Sequence, residues 1–358
     1  MNVFENDKYI EDVAFIANTL LPWEKLQDKS LMISGATGQV GSFLVDVIMY
    51  KNQNIALNCT VYALGRSADK LKERFAYCCD DNTLKLIHHD INEPLVMNEV
   101  GTIDYILHLA SNTHPVAYAI DPIGTITTNI IGTNNIFNFA IAHNTTRCVF
   151  SSSNEIYGEN RGDVETFDEK YCGYIDCNTM RAGYPESKRC GEALCQAYIK
   201  QKNLNVVIAR LTRSYGPTLL KTDTKALSQF IHNGVKGQDI ILKSSGTQYY
   251  SYLYIADTVS GLLTILLSGE TGEAYNIADE RSDIMLKDLA QKIADISSTN
   301  VVFELPNKIE SAGYSKATKA RLDSSKLHKL GWKAEYDIKE GLSRTISILR
   351  SIDDSHKQ

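Results

Sequence analysis

Tyr184 and Lys188 stand four residues apart in RAGYPESKRCGEAL, a stretch with helical character. That spacing puts both side chains on one face of a helix. An ammonium beside a phenol stabilises the phenolate and lowers the tyrosine pKa. A tyrosinate is in turn a suitable base for a sugar hydroxyl. Tyr198 and Lys202 repeat the spacing, so context has to separate the pairs. About thirty residues before Tyr184 an apolar run ends in Ser151, Ser152 and Ser153, followed by Asn154 and Glu155. Small hydroxyls, an amide and a carboxylate at a strand end make either a turn or an active-site floor. Tyr198 has no comparable partner and reads as structural.

A second chemical signal is GATGQVG at residues 35–41. Gly35 permits a tight turn, Gly38 lets backbone approach a pyrophosphate, and Gly41 allows close helix–strand packing, while the helix N-terminus faces the anion. Thr37, Gln39 and Val40 complete the loop. It sits between a strand and a helix, the context that a dinucleotide loop requires. At the end of the next strand an acidic residue would grip a ribose hydroxyl. The chain instead has Gly65, Arg66 and Ser67. An arginine there accommodates a 2′-phosphate, which favours NADP over NAD, unless Arg66 is only a solvated loop residue. Asp90 and Ile91, after the third strand, are placed for an adenine, or Asp90 is a cap.

These residues need a frame. SLMIS, NCTVYALG, LKLIHHDI, IDYILHLAS, RCVFSSS and NVVIARLTRSYGP read as six strands. TTNIIGTNNIFNFAIAHN and YPESKRCGEALCQAYIKQ read as long helices between them. Strand–helix alternation with near-continuous apolar strands means a parallel sheet covered on both faces. Residues 1–28 read as an amphipathic helical lead-in. After Gly216 the rhythm changes to helix, mixed strand and loop, and then small helices with turns at ELPNK and LGWKAEYDI; the tail SIDDSHKQ reads as frayed.

With 358 residues, 43% hydrophobic and 22% charged, the chain has room for a sizeable core. A net charge of −6 gives no electrostatic case for nucleic acid or an anionic membrane. The eight cysteines form no C-x-x-C pair and read as buried reduced thiols, and no Cys/His spacing matches a metal site. The N-terminus lacks an apolar signal core and no apolar run is long enough to span a bilayer, so a cytoplasmic protein is expected.

Taken in order, the glycine loop, HLAS at residues 108–111, SSSNEIYG, YPESK and RLTRSYGP resemble the extended short-chain dehydrogenase/reductases that modify nucleotide sugars. The resemblance runs from about residue 30 to residue 350. It implies an α/β fold: a Rossmann doubly wound parallel sheet with a smaller C-terminal α/β substrate domain. The corresponding division is 1–29 lead-in, 30–213 Rossmann with 254–280 returning to it, and 214–253 plus 281–350 for the nucleotide sugar. It also implies a homodimer joined through helices and an internally recycled NAD(P) that oxidises the sugar at C4. Ser153 then hydrogen-bonds the C4 oxygen, Tyr184 removes its proton and Lys188 tunes Tyr184. Leu109, Ala110, Ser111 and Asn129 join Lys188 as cofactor contacts. Thr113, Arg181, Ser214, Ala226, Gln229 and Phe230 fall at nucleotide-sugar positions.

Two positions distinguish the subfamilies. Simple 4-epimerases carry a small residue where this chain has Glu155, whereas 4,6-dehydratases and UDP-glucuronate decarboxylases carry glutamate. The stretch from Arg181 through Lys188 looks most like the decarboxylases. Asn154 departs from both groups, and an amide cannot serve as a general acid. Before YLYIAD the family has an arginine for the diphosphate; the chain has Tyr250 there, and Arg213 where asparagine is usual. Arg213 is therefore expected to supply the cationic clamp, with Tyr249, Tyr250 and Tyr252 as a nucleotide-facing wall or as packing. Decarboxylation or dehydration is the expected reaction, with 4-epimerase next, then NADPH-dependent 4-ketosugar reductase, and a non-catalytic NADP-binding sensor as the reading from another class.

Overall fold

The computed structural model describes residues 3–113, 115–304 and 318–355. Apolar runs buried on both faces form the central sheet. Its strands are Ser30–Ser34 (β1), Thr60–Gly65 (β2), Leu84–His88 (β3), Tyr105–His108 (β4), Arg147–Ser153 (β5), Val206–Leu211 (β6) and Ala274–Ile277, a seventh that the apolar pattern did not reveal. All pair in parallel, with that seventh strand at one edge beside β6, then β5, β4, β1, β2 and β3. The chain leaves β1 towards β2 and returns to it at β4. Strand order reverses there, and the crevice at such a point is where open α/β sheets bind ligands. The fold is Rossmann-type.

Two helices position the chemistry. Gln39–Ile55 (α1) starts at the glycine loop, and Gly183–Lys202 (α2) carries Tyr184 and Lys188. A Cβ at Gly191 would lie 2.4 Å from Phe150, so only glycine lets α2 sit this close to β5. That contact holds the helix face carrying Tyr184 and Lys188 over the strand ending in Ser153.

The sixth expected strand is two. β6 ends at Leu211, and Arg213–Tyr215 (β7) pairs with Tyr249–Tyr254 (β8) in a second sheet. Thr212 makes the switch, donating from Oγ1 to the Ser251 carbonyl at 2.8 Å. Ala226–Val235 (α3) packs against the helices Leu286–Ser297 and Ile338–Ser355 and opens onto the same crevice. The long helix expected near residue 130 starts earlier, as Pro122–Thr127, and passes through a π turn, Thr128–Gly132, before continuing as Thr133–Ala142. The extra residue turns Asn129 inward, where it is fully buried between Ser111 and Ser187. The lead-in contains the helix Asp7–Ala17. Residues 351–355, expected to fray, continue the helix Ile338–Ser355. The ELPNK turn lies, from Leu305 on, outside the described residues. The cysteines also need correction: Cys79, Cys172, Cys177 and Cys190 are exposed, while Cys59, Cys78, Cys148 and Cys195 are buried. The exposed four sit in turns or on the outer face of a helix.

The excursion between β5 and α2 carries Glu155 and Arg181 and is clamped from below. Arg210 on β6 meets Glu192 through two bonds, 2.9 and 2.7 Å, and donates to Tyr157 Oη at 2.9 Å and the Glu169 carbonyl at 2.7 Å. Removing one member of a buried ion pair costs about 3–5 kcal/mol. Arg210→Met is therefore expected to lower stability by about 3 kcal/mol in urea unfolding, because Glu192, Tyr157 and Glu169 all lose a donor.

Candidate active site

The crevice forms a cavity of about 1410 Å³ running from the glycine loop past the ends of β4 and β5 to β7, α3 and β8. At one end, Gly35 has φ +72°, a left-handed conformation that side chains resist. A Cβ on Gly41 would come within 2.3 Å of the Gly35 carbonyl oxygen. Gly38 caps α1 with no side-chain bond to its first amides, leaving those donors to an anion. Thr37, Gln39 and Val40 line this end, and Gln39 Nε2 is buried without a hydrogen-bond partner. A glycine cradle, an open helix N-terminus and an orphan amide donor fit the pyrophosphate of a dinucleotide.

The other cofactor positions divide. Arg66 is exposed at the rim, and Ser67 caps the helix after β2 by accepting from the Lys70 amide at 3.3 Å. Leu109, Ala110, Ser111 and Ile91 line the cavity. Asp90 is exposed and accepts from the Asn92 amide at 3.0 Å, a turn contact. Asn129 lies one layer behind the wall and braces Ser111 at 2.7 Å and Ser187 at 2.9 Å. His108, between Ser34 and Thr133 beneath the floor, is pulled down to about 3 by burial and then by the Lys188 charge, so it stays neutral.

Ser153, Tyr184 and Lys188 all line the cavity. Tyr184 is buried, and the Ser153 hydroxyl lies close enough to favour its ionised form. Lys188 donates to the Ser151 carbonyl at 2.8 Å and lies 5.0 Å above the Phe150 ring. The expected lowering of the Tyr184 pKa by Lys188 is corrected: burial pushes the phenol up, the Glu155 charge adds to this, and Ser153 and Arg181 only partly oppose it. Lys188 itself is pulled down to about 7 by burial, against Cys195 and Glu192. The unfolded lysine stays charged to about pH 10.4, so the folded chain holds fewer protons between those values. Stability therefore rises with pH across that window. Lys188→Met should stabilise the cofactor-free chain most below pH 7, with the advantage shrinking toward pH 10; thermal melts across that range read it directly.

Glu155 is held by Arg181, Oε2 to Nη2 at 2.6 Å. Arg181 lies 5.0 Å over the Tyr118 ring, and Tyr118 stacks on Tyr184 with centroids 4.8 Å apart at 22°. Tyr118 was not among the expected residues, and no apolar period around it marks it in the chain. Asn154 is buried and lines the cavity beside Glu155.

At the far end Thr113 is exposed at the rim. Arg213 lies 3.6 Å over the Tyr250 ring. Ser214 accepts from Thr258 at 2.9 Å. On α3, Ala226, Gln229 and Phe230 line the wall, with Gln229 donating to the Thr224 carbonyl at 2.6 Å. Tyr250 and Tyr252 line the cavity, whereas Tyr249 lies under Arg321 at 4.6 Å. Among the described residues no cluster of His, Cys, Asp or Glu could hold a metal ion, and no helix is long and apolar enough to cross a membrane.

The family model for the NAD dependent epimerase/dehydratase family matches residues 31–278. UDP-glucuronic acid decarboxylase 6 of Arabidopsis thaliana is 30% identical over 313 residues, covering 87% of this chain and 86% of the relative. UDP-glucuronic acid decarboxylase 1 of Xenopus tropicalis is 30% identical over 328 residues, 90% of this chain and 72% of the relative. Among solved structures, the dTDP-glucose 4,6-dehydratase DesIV of Streptomyces venezuelae, with NAD and TYD bound, superposes with a TM-score of 0.79 at 22% identity, covering 91% of this chain and 98% of that one. A UDP-glucuronic acid 4-epimerase of Bacillus cereus, in complex with UDP-glucuronic acid and NAD, gives 0.76 at 20% identity over 90% and 99%.

Proposed function

We propose that this chain, which belongs to the NAD dependent epimerase/dehydratase family, oxidises a nucleotide-diphosphate sugar at C4 and then decarboxylates it. The observation that carries this reading is that Ser153, Tyr184 and Lys188 line the same cavity as the glycine cradle. The decarboxylase relatives, at 30% identity across most of both chains, point to a UDP-glucuronate-like substrate.

A bound nicotinamide cofactor supplies the hydride chemistry and recycles within the site. Ser153 hydrogen-bonds the C4 oxygen, and Tyr184 takes the hydroxyl proton once it is ionised, a state that burial opposes in the cofactor-free chain. Lys188, one turn further along the same helix, is anchored on the Ser151 carbonyl. A C4 ketone is β to the C6 carboxylate of a uronate, so the C5–C6 bond breaks with carbon dioxide leaving. Its electrons pass to the C4 oxygen, where Ser153 and Tyr184 stand as donors, and a proton then closes C5. Dehydration asks Glu155 to remove the C5 proton, and its Oε2 is engaged by Arg181 at 2.6 Å. That ion pair favours decarboxylation over dehydration. It equally allows 4-epimerisation, the second reading, which needs only Ser153, Tyr184 and Lys188.

Arg66 at the rim, at a strand end that reads Gly65, Arg66 and Ser67 without an acid, favours NADP as the cofactor, although NAD is the one named with the solved neighbours. The homodimer reading comes from the family resemblance, and Ile123 and Ile131, 75% and 45% exposed on the segment packed against α2, give it an apolar face. Mass spectrometry of products from UDP-, dTDP-, CDP- and GDP-sugars, with UDP-glucuronate and UDP-galacturonate included, tests the reaction. Loss of carbon dioxide is expected. Loss of water would make it a dehydratase, and unchanged mass with a changed sugar NMR spectrum an epimerase.

A further inference from the structure

The arginines lining the cavity differ in what neutralises them. Arg74 is paired with Asp46 and Arg181 with Glu155, and Arg66 is solvated. Arg213 is half-buried, makes no ion pair among the described residues, and has its Nη1 buried without a hydrogen-bond partner. A guanidinium removed from water without a counter-charge is costly. The Tyr250 ring, 3.6 Å away, offsets part of that cost as a cation–π platform but cannot accept from Nη1. The position is built into the sheet: β7 and β8 pair Arg213 opposite Tyr252, so both aromatic rings flank the arginine's strand.

A second feature faces the same space. No side chain caps α3, whose first turn lines the cavity, so its leading amides also lack a side-chain acceptor. Lys221, exposed on the approach to that helix, adds a further cation. An acceptor with several oxygens and more than one negative charge satisfies this set. The sugar end is close by, because Tyr250 feels the charges of Glu155 and Arg181 as well as that of Arg213.

We propose that Arg213, seated on Tyr250, is the clamp for the diphosphate of the nucleotide sugar, with the open start of α3 as its second contact. The assignment rests on the nucleotide-sugar reading above. Calorimetric titration of the full chain with UDP, UDP-glucuronate and free glucuronate tests it. Arg213→Met is expected to weaken UDP and UDP-glucuronate alike, by about 10- to 100-fold, with free glucuronate binding neither form. Unchanged affinity for UDP overturns the clamp, and so does a loss confined to UDP-glucuronate, which would make Arg213 a reader of the sugar carboxylate. If Arg213→Met fails to fold, the exchange variant R213Y/Y250R decides, since it returns a guanidinium and a ring to the same stacked pair. Recovery of UDP binding supports the clamp, and a folded exchange variant that binds no UDP overturns it. A wild-type chain that binds none of the UDP, dTDP, CDP or GDP forms refutes the nucleotide-sugar reading and the clamp with it.

Discussion

Tyr184→Phe is expected to lower kcat by about 10²- to 10⁴-fold, the usual contribution of a positioned proton-transfer group. The substitution removes one oxygen and keeps the ring. Tyr118 therefore retains its stacking partner at 4.8 Å, and α2 keeps its packing on β5. Substrate and cofactor binding should change little, so the loss should appear in kcat with KM nearly constant. That pattern marks an interaction made at the transition state rather than in the ground state. Steady-state kinetics on the purified variant, with cofactor content measured alongside, provides the check. A variant retaining more than a tenth of wild-type kcat would remove Tyr184 from proton transfer and leave it as packing for Tyr118.

Gly41→Val is expected to abolish cofactor retention. The new Cβ would lie 2.3 Å from the Gly35 carbonyl oxygen and 3.0 Å from Ala36 Cα, both backbone atoms of the loop itself. Neither can swing aside as a side chain would, so α1 must back away from β1. Overpacking of this kind costs about 1–3 kcal/mol. The same displacement moves the amides at the start of α1 off the pyrophosphate, and each 1.4 kcal/mol lost there is tenfold in affinity. Cofactor affinity should fall at least tenfold, read by the nucleotide content of the purified protein and by titration. Gly101→Val is the control, since a Cβ there meets nothing within 4 Å.

Much of this framework was legible in the chain because its causes are local. Glycine spacing between a strand and a helix announces the loop at Gly35, and apolar runs announce β1 to β6. Tyr184 and Lys188 share a helix face by spacing alone. Tyr198 shares that spacing with Lys202, but it bonds Asn134 and Asn138 at 2.8 Å and meets the Phe137 ring edge-on, a structural place that its late position in the helix suggested. What escaped depends on pairings between distant segments. The Glu155–Arg181 ion pair needs the excursion after β5 to fold back. The Arg213–Tyr250 stack needs β7 to leave one sheet and join another at Thr212. The π turn at Asn129 answers to Ser111 and Ser187, and the seventh strand, Ala274–Ile277, is too short to show a period. Burial of Tyr184 and Lys188 is likewise a tertiary property, and it reversed the expected direction for the Tyr184 phenol.

Internal oxidation at C4, followed by return of the hydride to the sugar, is tested most directly with the substrate from the product panel carrying deuterium at C4. Turnover without added cofactor, slowed by the isotope, with deuterium retained in the product sugar, is the expected result. Retention at C4 accords with decarboxylation or epimerisation, and transfer to C6 with dehydration. Deuterium found in released cofactor or in solvent, or turnover at an unchanged rate, would contradict an internally recycled oxidation by Ser153, Tyr184 and Lys188.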